Sequence, residues 1–142
     1  TLLRDGVMIT ADHVLDRITP TVGLWPESRP DPLGDYLDAL ARTIELAPAL
    51  GLPGHGEILA DPVGRAAAIV AHHRERLDAT AAALSEQPST GYEVSIPLFG
   101  EALQAAGRRF AIAETLSHLE RLVHEGRAHR REVVGVVSYT SA

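Results

Sequence analysis

The chain contains no cysteine among its 142 residues. Disulfides and thiolate metal sites are thereby excluded, and a reducing, cytoplasmic compartment is compatible with the chain. Lysine is missing as well, so all 13 basic side chains are arginine. With abundant alanine, this points to GC-rich coding and bears on the source rather than on function. No apolar run approaches the roughly 20 residues that a membrane helix needs, so no membrane span is expected. No signal peptide is visible at the opening "TLLRDGVMIT". Neither an HxH nor an HExxH pair is present, so no local motif supplies two histidines to one ion.

What is there reads as a folded protein of one ordinary domain or two small ones, with 45% hydrophobic and 23% charged residues. Charge is unevenly spread. Residues 1–60 hold 4 arginines against 9 acidic residues, whereas residues 91–142 hold 6 of each. An acidic N-terminal part repels phosphate backbones and argues against a nucleic-acid platform there.

The periodicities predict a mixed order of elements. "LLRDGVMIT" reads as two short strands around Asp5-Gly6, a strong hairpin signal. Residues 17–32 carry four prolines and the only tryptophan, Trp25, and read as an irregular loop. Leu33, Tyr36, Leu37, Leu40 and Ile44 lie at helical spacing, Pro48 ends that helix, and "ALGL" is a short buried strand. Asp61-Pro62 is an N-cap followed by proline at the first helical position. The helix that follows is expected to turn Val63, Ala66, Val70, His73, Leu77, Ala81 and Leu84 inward. After the linker "EQPSTG", Thr90 and Glu93 have capping-box spacing for a short helix containing Pro97. A longer helix from about Ala111 to Glu125 is stopped by Gly126, and "AHRREVVGVVSYT" forms two strands. Helices followed by a β-hairpin suggest a winged helix.

Two places stand out for chemistry. In "ITADHVL", Asp12 and His13 stand where an apolar strand ends, and in "LPGHGEILADP" His55 stands between two glycines. Each admits a plain reading, a capped turn or a Pro-Gly turn that contains a histidine. Each also admits a metal ligand, since a carboxylate and an imidazole suit zinc, iron or manganese. Two ligands do not complete a site. His72 and His73 point about 100° apart on a helix and cannot chelate one ion together; His73 falls on the apolar stripe. His118, His124 and His129 lack metal spacing.

"ITADHVLDRITPTVGLWPESRPDPLGDYLDALARTIEL", "LPGHGEILADP" and "AHHRERL", in that order, resemble the C-terminal half of a metallo-β-lactamase-fold hydrolase. The branch is the glyoxalase-II-like and lactamase-like hydrolases with a winged-helix tail, and the resemblance covers nearly the whole chain. It implies an α+β fold. Residues 1–60 would be part of an αββα sandwich, 61–87 a long connecting helix and 88–142 a winged-helix domain. It implies that Asp12 bridges two metal ions, that His55 is the last metal histidine, and that His13 faces the cleft. The HxHxDH motif of that family is not in this chain, and Ala11 stands where the family has glycine.

The intact enzyme implied is a bacterial, cytoplasmic hydrolase with two ions, zinc or alternatively iron or manganese. A bridging hydroxide would attack an ester, thioester, lactam or phosphodiester of a small molecule. This chain alone is expected to be inactive and to bind metal weakly. Leu3, Val7, Ile9 and Leu52 are expected to form an apolar face that meets a missing half or a second copy. The competing reading is a nucleic-acid-binding or non-catalytic interaction module, with arginines in "AGRRF" and "GRAHRRE". The terminal helix opposes DNA binding, because Glu114, Glu120 and Glu125 stand against Arg121 alone.

Overall fold

A computed structural model describes residues 2–142, with side-chain surroundings from residue 4 onward. The fold mixes helices and strands in two compact units, Thr1–Pro20 with Tyr36–His73, and Thr21–Asp35 with Arg74–Ala142. One division falls in the loop between Pro20 and Thr21, and the other two fall inside helices α1 (Pro32–Leu46) and α2 (Pro62–Ala82).

In the first unit, β1 (Leu2–Arg4) and β2 (Val7–Ala11) form an antiparallel hairpin. Asp5 and Gly6 both take positive φ, 52° and 78°, as a two-residue turn that follows the strand twist requires. β3 (Leu50–Pro53) then pairs parallel to β2, so α1 is the crossover of a β-α-β unit and the sheet order is β1-β2-β3. Alternation sorts the β2 side chains. Met8 and Thr10 are buried, whereas Ile9 is 49% exposed opposite half-buried Leu52. The expected apolar face is therefore present at Val7, Ile9 and Leu52; the side chain of Leu3 lies outside the described residues. The core packs Val14, Leu40, Leu59, Ala66 and Ile69 together, with Tyr36, Leu37, Ile44 and Val70 around them.

Asp61 caps α2 as expected, its carboxylate accepting from the Gly64 N–H at 2.8 Å. The inward stripe departs from the expected one. Ala66, Ile69, His73, Leu77 and Thr80 are buried, whereas Val63, Val70 and Ala81 are half-buried flanks, and Leu84, also buried, lies two residues past the helix end. Thr80 can replace an apolar residue because its hydroxyl donates to the Arg76 carbonyl at 2.7 Å, leaving no unpaired polar group inside.

The second unit holds α3 (Gly91–Phe99), α4 (Ala105–His124) and the hairpin β4 (Ala128–Val133) and β5 (Val136–Ser141). Thr90 and Glu93 form the reciprocal capping box. α4 begins at Ala105, six residues before the expected Ala111. Its first turn is largely exposed, contains Gly107 and follows Gln104, whose side chain makes no cap bond, so neither apolar period nor cap marks the start. Its end is as expected. Gly126, at φ 70°, closes a Schellman motif in which Arg127 N–H donates to Leu122 O (2.8 Å) and Gly126 N–H to Val123 O (3.0 Å). Tyr139 is buried and its hydroxyl donates to Glu120 at 2.6 Å, which ties the hairpin to α4. Among the described residues, no helix is long and apolar enough to cross a membrane.

Candidate metal centre

Asp12 and His55 lie just past the ends of the parallel neighbours β2 and β3, the side of a β-α-β sheet where ligand sites form. Their separation in sequence is removed by pairing: Ala11 lies opposite Pro53, and Gly54 N–H donates to Ala11 O at 2.9 Å. The pairing shifts register between Ile9 and Ala11. Ala11 there takes φ 45°, a left-handed conformation that costs a residue with a Cβ roughly 1–2 kcal/mol. A glycine would adopt this conformation without that cost, whereas Ala11 holds it under strain. The bulge aims the next side chain outward. Asp12 Oδ1 comes within 3.6 Å of His55 Nε2, and both side chains are exposed.

The two glycines around His55 answer to the same loop. A Cβ on Gly54 would stand 2.7 Å from Asp12 Oδ1, and one on Gly56 would overlap Asp16 Oδ1. Gly56 also takes φ 85°. The loop from Asp12 to Asp16 therefore closes over the histidine turn, one carboxylate against each glycine.

Side chains hold that loop through three successive carbonyls. Tyr36 Oη–H donates to His13 O (2.8 Å), Thr10 Oγ1–H to Val14 O (3.0 Å) and Arg65 Nε–H to Leu15 O (2.7 Å). Tyr36, Thr10 and Arg65 position the site without belonging to it. In the sequence Tyr36 reads as one member of an apolar stripe and Arg65 carries no signal, because nothing local marks a bond spanning 50 residues.

His13 is engaged elsewhere. Its Nε2 lies 3.1 Å from Thr43 Oγ1, which in turn lies 3.1 Å from Ala39 O. Its ring meets Tyr36 edge-on at 5.4 Å, and Tyr36 meets the buried His73 the same way at 5.7 Å. Burial lowers the His13 pKa, and this outweighs the hydrogen bonding that raises it. Burial also pushes the Tyr36 hydroxyl up to about 12. A raised folded-state value means that the neutral phenol contributes stability below its unfolded pKa of about 10, lost as pH rises from there toward the folded value. Denaturant midpoints between about pH 9 and 12 should fall more steeply for the parent than for Tyr36→Phe.

Two solved structures share this arrangement of the chain. A metallo-β-lactamase family protein of Thermus thermophilus is 38% identical and superposes with a TM-score of 0.82 over 97% of this chain and 42% of its own. A β-lactamase domain protein of Burkholderia ambifaria is 34% identical, with a TM-score of 0.86 over 97% of this chain and 42% of its own. The family described as "Metallo-beta-lactamase-like, C-terminal domain" matches residues 77–142. The chain has the fold of the C-terminal half of metallo-β-lactamase-family proteins. It aligns with the C-terminal part of the family and spans 42% of the length of these two relatives. No curated protein matches it significantly.

Metallo-β-lactamases imply divalent metal ions, and the Asp12–His55 pair tests that implication. An oxygen and a nitrogen donor 3.6 Å apart, both open to solvent, can lie on one ion, because bonds of about 2.0–2.2 Å span that separation. Among the described residues, no group of three or more histidine, cysteine, aspartate or glutamate side chains converges. The chain thus presents two donors that fit an ion from one side.

Proposed function

We propose that this chain carries part of the active site of a cytoplasmic, metal-dependent hydrolase acting on an ester, thioester, lactam or phosphodiester of a small molecule. The observation that carries this reading is the Asp12–His55 pair, held at the ends of parallel strands in a chain of this fold. Two zinc ions, or alternatively iron or manganese, would supply an activated water and a Lewis acid. Asp12 would bridge them, and His55 would hold the second through Nε2. Tyr36, Thr10 and Arg65 keep the Asp12–Asp16 loop closed over the histidine turn, so both donors are set before an ion arrives. The other ligands, including an HxHxDH motif, would come from further chain or from the partner that covers Val7, Ile9 and Leu52.

We further infer that the expected division into 1–60, 61–87 and 88–142 holds in function with shifted bounds: Thr1–Pro20 with Tyr36–His73 as partial catalytic domain, α2 (Pro62–Ala82) as connecting helix and 88–142 as winged helix. The order α3, α4, β4, β5 supports the last assignment, with Ser89 and Tyr139 exchanging backbone hydrogen bonds at 3.0 and 2.9 Å. The arginines that could meet nucleic acid are largely engaged. Arg108 donates to Ser95 and Gly100, Arg127 pairs with Asp78 and Glu125, and Arg130 pairs with Glu120 and Glu132. A shaping role toward a small substrate suits such a surface better than a phosphate backbone does.

Calorimetry tests the metal reading. The 142-residue chain should bind zinc no more tightly than micromolar, because two ligands leave most of the coordination shell to water. Asp12→Ala and His55→Ala should each weaken binding about tenfold or more, and in the full-length gene product each should abolish hydrolysis. Equal zinc binding by parent and variants would refute the assignment, and nanomolar binding by the chain alone would refute its division of ligands.

A further inference from the structure

The proline-rich loop around the single tryptophan has no part in the metal reading, yet the structure fixes it firmly. Leu24 N–H donates to Ala113 O of α4 at 2.9 Å. Gly23 permits that approach, because a Cβ there would stand 2.8 Å from Trp25 Nε1 and 3.1 Å from Ala113 Cβ. Trp25 and Ser28 exchange two hydrogen bonds of 2.9 Å, and Asp31 accepts from Arg121 at 3.1 Å further along α4. The indole is thus held at a set place by a loop with little freedom left to lose on binding.

Between this loop and α4 lies a pocket of about 390 Å³, within the range of small-molecule sites. Leu24, Trp25, Ile112 and Leu116 give it apolar walls, and Ala105 and Arg109 also line it. Trp25 is only half-buried and meets Phe110 edge-on at 5.7 Å; Phe110 is 56% exposed. The two adjacent arginines differ in what they do. Arg108 is occupied by Ser95 and Gly100. Arg109 is exposed, makes no ion pair among the described residues, and lays its guanidinium 5.3 Å from the centre of the Trp25 ring. A guanidinium held over an indole by a cation–π contact, with no ion-pair partner, has N–H groups left to grip a carboxylate through two bonds.

We propose that this pocket binds a small aromatic carboxylate, its ring against Trp25 and Ile112 and its carboxylate on Arg109. Apolar walls alone would accept any oily molecule of that size. A single unpaired cation at the edge, with the neighbouring arginine already satisfied, selects an anion that is apolar elsewhere. Neither Asp12 nor His55 lines it.

The probe is 1-naphthoate, with neutral 1-naphthamide as its isostere and a chelator present. The chain has one tryptophan, so its single indole N–H resonance reports on the pocket directly. Naphthoate should shift that resonance saturably, and naphthamide should bind about fivefold more weakly or worse, as expected for loss of a charge-assisted hydrogen bond. Arg109→Gln should erase the difference between the two. Ala105→Phe, at an exposed lining position, should block both while leaving the melt unchanged. His55→Ala should alter neither, which separates this site from the metal centre. Calorimetry on the full-length gene product should show the same loss for Arg109→Gln. Equal binding of acid and amide, no saturable shift, or no binding in the full-length product would overturn the proposal.

Discussion

Replacing Leu77 with alanine should lower the unfolding free energy by about 2–5 kcal/mol in a denaturant melt. Leu77 is 3% exposed, midway along the inward stripe of α2 between His73 and Thr80. Its neighbours on that stripe, four residues before and three after, are also buried. Truncation there leaves a void that the helix cannot collapse into without moving both of them. The size of the loss depends on how far the surroundings relax, hence the range. Ala82→Ser, on the exposed side of the same helix, should change the midpoint by less than about 0.5 kcal/mol. A loss at Leu77 as small as that would mean that its face of α2 is solvated.

The glycines flanking His55 should separate metal binding from folding. Gly54 has no positive φ, so Gly54→Ala meets one obstacle, Asp12 Oδ1 at 2.7 Å. Asp12 is exposed and can swing aside, so the melt should move little while zinc affinity falls about tenfold through loss of one donor. Gly56→Ala meets a left-handed backbone as well as Asp16, and should cost about 1–3 kcal/mol of stability in addition to any metal effect. Equal zinc affinity in Gly54→Ala and the parent would show that the Asp12 carboxylate does not ligate from its observed place.

Much of the fold could be read from local signals because those signals are local in cause. Asp5-Gly6 specifies its turn through two positive φ values, Thr90 and Glu93 cap each other, and Gly126 closes α4 in a left-handed conformation. None of these depends on distant packing. The missed helix start at Ala105 had no comparable mark, since Gln104 provides no cap bond and the first turn is exposed. The helix phase at Thr80 was obscured because a hydroxyl bonded to its own backbone can be buried among apolar residues. For the site, Asp12 and His55 were legible as polar residues at strand ends. Their meeting depends on the parallel register of β2 and β3, which appears only when the chain is folded. The orientation of His13 toward Thr43 was not legible, because a histidine beside a site residue carries no sign of which way its ring turns.

The interleaving of the two compact units sets an order of events during synthesis. Thr1–Pro20 finds its counterpart, Tyr36–His73, soon after it, and both can be outside the ribosome while most of the second unit has yet to be made. Thr21–Asp35 emerges early but belongs with Arg74–Ala142. Leu24 must wait for Ala113, and Asp31 for Arg121, across 90 residues in the latter case. During that wait, Trp25 and its apolar neighbours have no α4 to lie against. Four prolines in residues 17–32 restrict the backbone meanwhile and limit its pairing with other strands. The same interleaving means that no single cut in the chain releases either unit whole.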